Sequence, residues 1–239
     1  MIELTPRQIQ ILRAVIEEFI STAEPVGSDT VDKKYNIGVS PATIRNEMVY
    51  LSKQGYLYKS HVSGGRVPTP VAFKLYINEL MKEKELSVAD EVSAKEKIWE
   101  SRSQLGELMH ESAKVLADRS RALGLAMTDK RRLFHSGYSH LLEMPEFYDI
   151  EVMKTVLSVI EQAQIMDQIF EKCSTQDKVH VVFGRELGDR RLESVSIVFI
   201  TVRAHGHECR LGVLGSERFD YPYLVPLMKY FKSLIEEMV

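Results

Sequence analysis

Three times in its first seventy residues the chain sets a hydroxyl side chain directly before a proline: Thr5-Pro6, Ser40-Pro41 and Thr69-Pro70. A hydroxyl at the N-cap accepts from a free backbone N–H, and proline at the first helical position has no N–H to leave unpaired. Each pair therefore marks a helix start. After the first, Ile9, Leu12, Val15, Ile16, Phe19 and Ile20 recur at helical spacing, which predicts a helix over residues 6–22. Glu24-Pro25-Val26-Gly27 stops it, Ser28 is expected to cap a short helix through Tyr35, and residues 36–39 form a turn. The helix opened by Ser40-Pro41 runs to Gln54, with Gly55 where a helix end favours positive φ. The pattern then changes. Residues 56–59 and 66–67 read as two short strands around the turn His61-Val62-Ser63-Gly64-Gly65, and Thr69-Pro70 opens a fourth helix with Phe73, Ile77, Leu80 and Met81. Three helices, a short hairpin and a further helix are the parts of a winged helix.

The rest of the chain reads differently. Residues 82–92 are polar and charged and are expected to be a linker between a domain at 1–81 and a second at 93–239. A long helix is predicted over 93–119, a strand pair over 122–127 and 132–134, and a helix over 149–172. Strands follow at 179–183, 195–202 and 210–214, with a closing helix from about Tyr223 to Met238. The expected class is α+β, a winged helix-turn-helix followed by an antiparallel-sheet domain. No run of about 18 apolar residues suggests a membrane span, and the N-terminus lacks the basic-then-apolar pattern of a signal peptide. Cys173 and Cys209 are the only cysteines and lie far apart, so no disulfide framework is expected and a reducing cytoplasm is the simplest setting.

The overall charge is −3, which taken alone argues weakly against a nucleic-acid partner, but its distribution argues the other way. Between residues 33 and 74 stand Lys33, Lys34, Arg45, Lys53, Lys59, Arg66 and Lys74 against the single acid Glu47, a net of +6 over 42 residues. A basic stretch inside a near-neutral chain is an electrostatic footprint for phosphate, although many such faces are merely solvated. Projected at about 100° per residue, the third helix puts Ile44, Met48 and Leu51 on one stripe, which should face the core. Ala42, Asn46, Val49 and Lys53 then face outward, with Thr43 and Tyr50 on one flank and Arg45 on the other. Asparagine can bond adenine, arginine can bond guanine, and small apolar groups can touch a thymine methyl. Ser40 and Thr43 sit where a helix N-terminus favours phosphate. In the hairpin, Lys59, Ser60, His61, Ser63 and Arg66 surround two glycines with no acid among them, and Arg66 at the tip would suit a minor groove. The plain alternatives are that Ser40 is only a cap, that Arg45 pairs with Glu47, and that the hairpin only supports the fold.

These residues carry a family resemblance. Leu4-Thr5-Pro6-Arg7-Gln8, Glu24-Pro25-Val26-Gly27-Ser28, Ala42-Thr43-Ile44-Arg45-Asn46-Glu47-Met48 and Gly65-Arg66-Val67-Pro68-Thr69 closely resemble HrcA, the heat-inducible transcription repressors of bacterial chaperone operons. Gly137-Tyr138-Ser139-His140-Leu141-Leu142 with Pro145-Glu146-Phe147, and Leu211-Gly212-Val213-Leu214-Gly215 with Arg218-Phe219-Asp220-Tyr221, resemble the family's later signatures, with His140 in place of asparagine and Ser216 in place of proline. The resemblance implies a shortened GAF-like second domain, because the inserted dimerisation region that typical members carry is reduced here to a turn near residues 127–134. It further implies a homodimer on the inverted repeat called CIRCE, two-fold protein symmetry matching the palindrome, and a GroE-type chaperonin that restores the active form after heat. The alternative is a regulator that senses a small molecule through the GAF-like domain.

Little in the second part suggests catalysis. His205, His207 and Cys209 would share a face on a strand and could hold zinc, but Gly206 and Glu208 suggest a turn and a fourth ligand is not evident. Glu186, Asp189 and Glu193 stand among Arg185, Arg190 and Arg191 and read as solvated ion pairs. No cofactor, metal or enzymatic activity is expected.

Overall fold

The computed structural model describes residues 4–60, 64–172 and 178–239. It is an α+β protein that divides into two compact units, Met1–Lys82 and Glu83–Val239.

The first unit opens with helix α1 (Pro6–Thr22). Thr5 accepts from the Gln8 N–H while the Gln8 side chain reaches back to the Thr5 N–H, a reciprocal cap at each end of one turn. Helix α2 (Ser28–Tyr35) starts one residue earlier than its capping pattern suggests. Gly27 is the N-cap and makes no side-chain bond, while Ser28 is already helical and buried. Helix α3 (Pro41–Lys53) and helix α4 (Pro70–Leu75) begin as their hydroxyl–proline pairs dictate, with Ser40 accepting from Thr43 and Thr69 from Ala72. Past Leu75 the fourth helix loosens into a π turn, Tyr76–Leu80, closed by Met81 N–H to the Tyr76 carbonyl. Strands β1 (Leu57–Lys59) and β2 (Arg66–Pro68) pair antiparallel, Lys59 opposite Arg66. Val26, in the loop after α1, adds a one-residue bridge to Arg66 on the outer side of β2. Ile11, Leu12, Val15 and Ile16 of α1 meet Val31, Ile44, Leu51, Leu57 and Phe73 in the core of this unit.

The second unit is built on a five-stranded antiparallel sheet in the order β4-β3-β7-β6-β5, formed by β3 (Leu123–Met127), β4 (Leu133–Ser136), β5 (His180–Phe183), β6 (Val195–Ala204) and β7 (His207–Ser216). Helices cover both faces. Leu123, Leu125 and Met127 point into a core with α8 (Ile150–Ile160) and α9 (Ala163–Glu171). The alternate residue Gly124 lies against α6 (Leu105–Ser120), so closely that a Cβ there would sit 1.9 Å from the Ala113 carbonyl oxygen. Helix α10 (Tyr221–Met238) packs on β6, and a short helix α7 (Tyr138–Leu141) follows β4.

Three expected elements differ. The polar run after residue 82 is helical from Val88, as α5 (Val88–Trp99), because Ser87 caps it through the Asp90 N–H. The long helix expected over 93–119 is broken between α5 and α6, where residues 100–104 (Glu-Ser-Arg-Ser-Gln) contain no apolar side chain whose burial would hold a helix together. The helix expected over 149–172 is likewise two helices, parted at Glu161-Gln162. The β6–β7 connection is tight, His205 and Gly206 both having positive φ as a type I′ turn requires. That turn scatters the trio suggestive of zinc. His205 contacts the Arg102 carbonyl at 2.7 Å, His207 contacts Asp129 at 2.8 Å, and Cys209 is buried, its thiol pushed up to about 11 by burial. Cys173 lies outside the described residues. Asp189 pairs with Arg191 at 2.6 Å and Glu186 accepts from the Phe183 N–H, so these acids cap local turns. Among the described residues no helix is long and apolar enough to cross a membrane.

Candidate nucleic-acid interface

The orientation of α3 decides what it can offer a partner. Ile44 and Leu51 are fully buried and Met48 nearly so. Three such side chains are worth about 5–9 kcal/mol of burial, too much for the helix to roll on its axis. The opposite face is therefore fixed outward: Ala42, Arg45, Asn46, Val49, Tyr50 and Lys53 are all exposed, and Thr43 is half-buried. Among the described residues, the side chains of Arg45, Asn46, Tyr50 and Lys53 make no hydrogen bond or ion pair. Ser40 caps the helix by accepting from the Thr43 N–H at 3.2 Å, and its hydroxyl lies 3.0 Å from that of Thr43.

Arg45 does not pair with Glu47. The Glu47 carboxylate is taken by α1, with Arg7 Nε donating at 3.1 Å and Gln8 Nε2 at 3.0 Å. The one acid in the basic stretch is thus neutralised from behind. Nothing in the local sequence signals this contact, since the partners lie 40 and 39 residues away. Lys34 is withdrawn from the surface field by its 2.6 Å ion pair with the buried Glu18. Lys33, Arg45, Lys53 and Lys59 make no ion pair among the described residues.

The hairpin is arranged differently from its sequence pattern. Arg66 is not at a tip. It is the first residue of β2, half-buried, and its guanidinium turns back to donate to Ser52 Oγ of α3 at 3.0 Å and to the Gly64 carbonyl at 3.1 Å. Strand pairing at Lys59 and the Val26 bridge hold its backbone in place, so the side chain serves as a strut between the hairpin and α3. Gly65 is also structural: a Cβ there would lie 2.7 Å from the Pro25 carbonyl carbon and oxygen. Lys59 is exposed and Ser60 half-buried, while His61 and Ser63 lie outside the described residues.

Comparison with known proteins assigns the chain to a family. The family model "HrcA protein C terminal domain" matches residues 70–225. The heat-inducible transcription repressor HrcA of Symbiobacterium thermophilum is 26% identical over an alignment of 333 positions covering 97% of this chain and 98% of that protein. That alignment is longer than the 239 residues of this chain, so the relative carries segments this chain lacks. The HrcA of Clostridium tetani is 31% identical over 209 positions, covering 84% of this chain and 58% of that protein. A crystal structure described only as a hypothetical protein has the same fold, with a TM-score of 0.74 at 17% identity and coverage of 99% of this chain and 98% of that one. With a family model spanning well over half of its residues and full-length alignment to named members, the chain belongs to the HrcA family.

Proposed function

We propose that this chain is a heat-inducible transcription repressor that binds duplex DNA through a winged helix-turn-helix at residues 1–81, with α3 in the major groove and the β1–β2 hairpin as the wing. The observation that carries the reading is the outward face of α3: Arg45, Asn46, Val49 and Lys53 are held rigidly, have no side-chain hydrogen bond or ion pair among the described residues, and are relieved of their one neighbouring acid. In this reading Asn46 and Arg45 read base edges, Ala42 and Val49 meet thymine methyls, and Ser40, Thr43, Tyr50, Lys53, Lys59 and Ser60 sit on the backbone. Arg66 braces the wing through Ser52 and keeps its remaining N–H groups for the DNA.

The second unit, Glu83–Val239, is a shortened GAF-like domain that supplies regulation and pairing. Repression is steric, two copies occupying an inverted repeat of the CIRCE type ahead of chaperone genes and excluding polymerase in the cytoplasm. Heat releases the protein and a GroE-type chaperonin restores it. Repression and its release by heat are supported by kinship with heat-inducible transcription repressors, and duplex binding by the outward face of α3.

Gel shift on a CIRCE-type inverted repeat and a scrambled duplex tests the reading. Specific binding is expected, with Asn46→Ala and Arg45→Ala each costing about 1–3 kcal/mol on the specific site alone. Equal affinity for both duplexes refutes specific repression.

A further inference from the structure

Helix α5 has two faces, and only one of them is used inside the chain. Ala94 and Ile98 are buried. Further round, Asp90 pairs with Arg119 and Lys97 with Asp118 (3.7 Å) on α6, and the Tyr230 hydroxyl of α10 donates to the Glu91 carbonyl at 2.7 Å. These contacts fix the helix rotation. At about 100° per residue, Val88, Val92, Lys95 and Trp99 then fall in one outward sector of about 60°. The three apolar members are 74%, 49% and 45% exposed. Polar substitution would be the ordinary choice on a solvated face; here valine, valine and tryptophan share one stripe. The tryptophan is also held in place, the Arg102 guanidinium stacking on its ring at 4.1 Å and donating to its carbonyl at 2.7 Å.

The geometry points to this stripe as a self-complementary contact between two copies of the chain, α5 packing antiparallel on α5 of the partner subunit. Place the two-fold axis between Ser93 and Ala94. Val88 then meets Trp99 of the partner subunit, and Val92 lies on the aliphatic stem of the partner's Lys95. The axis is normal to the plane of the two helices, so each flank faces its own equivalent. Lys95 and Glu91 lie on the same flank, and the pairing brings Lys95 level with Glu91 of the partner subunit, twice per dimer. Neither side chain has an ion pair within the chain, among the described residues. A stripe that supplies both its apolar surface and its own counter-charges under one two-fold is what an isologous interface needs. An unrelated partner has no reason to match it.

Two 12-residue helices, each about 18 Å long, bury less than the roughly 800 Å² per partner of a standard interface. The free dimer is therefore weak, and adjacent half-sites on DNA complete it by raising the effective concentration. This inference rests on the repressor reading for its biological sense, because an inverted repeat needs two copies, but its test does not.

The test is sedimentation of the full chain over a concentration series without DNA, with circular dichroism to confirm folding. Expected is a monomer–dimer equilibrium that Val92→Asp or Trp99→Asp shifts to monomer, both sites being exposed. Lys95→Glu sets like charges together and should raise the dimer Kd about tenfold or more. Lys95→Glu combined with Glu91→Lys restores the pair with its signs exchanged and should recover most of the loss. A wild-type chain that stays monomeric up to about 1 mM, where even a contact of about 4 kcal/mol would show, overturns the proposal and leaves the stripe to another partner. A dimer indifferent to Val92→Asp and Trp99→Asp overturns it too, placing the interface elsewhere. Failure of the charge exchange to recover the dimer refutes the antiparallel register. Binding of the monomeric variants to a single half-site is read separately. Its loss in the wild type would count against the repressor reading and not against the α5 contact.

Discussion

Glu217 offers a test in which sign and size both follow from position. The residue lies between β7 and α10, is 5% exposed, and donates its backbone N–H to the Ser194 carbonyl at 2.8 Å. Its carboxyl, which ordinarily titrates near 4.5, is pushed up to about 7. Burial is the main cause; Arg185 and Arg218 oppose it, Glu146 and Glu193 add to it, and Arg218 is engaged by Glu146 at 2.5 Å. The folded state thus holds this proton more tightly than the unfolded chain does. The resulting stabilisation is complete below pH 4.5 and is lost as pH rises through about 7. Each tenfold difference in proton affinity is worth about 1.4 kcal/mol, so at pH 8 the ionised carboxylate costs the fold about 3 kcal/mol. Glu217→Gln keeps the site neutral at every pH. Its unfolding should match wild type near pH 4.5 and lie about 6–12 °C higher at pH 8, given the size of the second unit. Thermal melts of both proteins in steps from pH 4.5 to 8, followed by circular dichroism, measure the difference. A gap that does not grow with pH, or a wild type more stable than the variant at pH 8, would refute the argument.

Other expectations follow from single contacts. Gly124→Ala drives a methyl into the Ala113 carbonyl and forces α6 off the sheet; a loss of about 3 kcal/mol or more is expected in denaturant unfolding. Ser40→Ala removes the cap on the Thr43 N–H and should lower the stability of the first unit by about 1 kcal/mol, read by its melting transition. Lys59→Ala should weaken all duplexes alike and reduce the salt slope of binding by about one, measured by titration across ionic strengths.

The sequence was most legible where one residue type does one local job. The hydroxyl–proline pairs set three helix starts, and Ile44, Met48 and Leu51 set the rotation of α3, because both signals act within a few residues. The breaks at residues 100–104 and 161–162 were hidden for the opposite reason. Ile98 and Leu105 are seven apart, two full helical turns, so the apolar rhythm runs across a gap in the helix as if the gap were absent. The stripe on α5 was hidden too, since the acids around Val88 and Val92 give the segment the composition of a linker. The partners of Glu47 and Arg66 lay beyond reach, for a charge in sequence carries no record of which distant side chain will meet it. Arg66, placed among candidate DNA contacts by its position beside two glycines, commits two of its five N–H donors to Ser52 and Gly64.

That commitment separates two things that an operator-binding surface must control. The backbone of Arg66 is bonded to the loop after α1 at Val26, its strand to β1, and its side chain to α3. One residue thus fixes the spacing between α3, the proposed reading segment, and the hairpin beside it. Under the proposed reading, exchanging Asn46 or Val49 would change the operator while the gauge stays constant. Ser52 and Arg66, by contrast, can change only together, and a chimera that imports one without the other should lose grip on every operator equally.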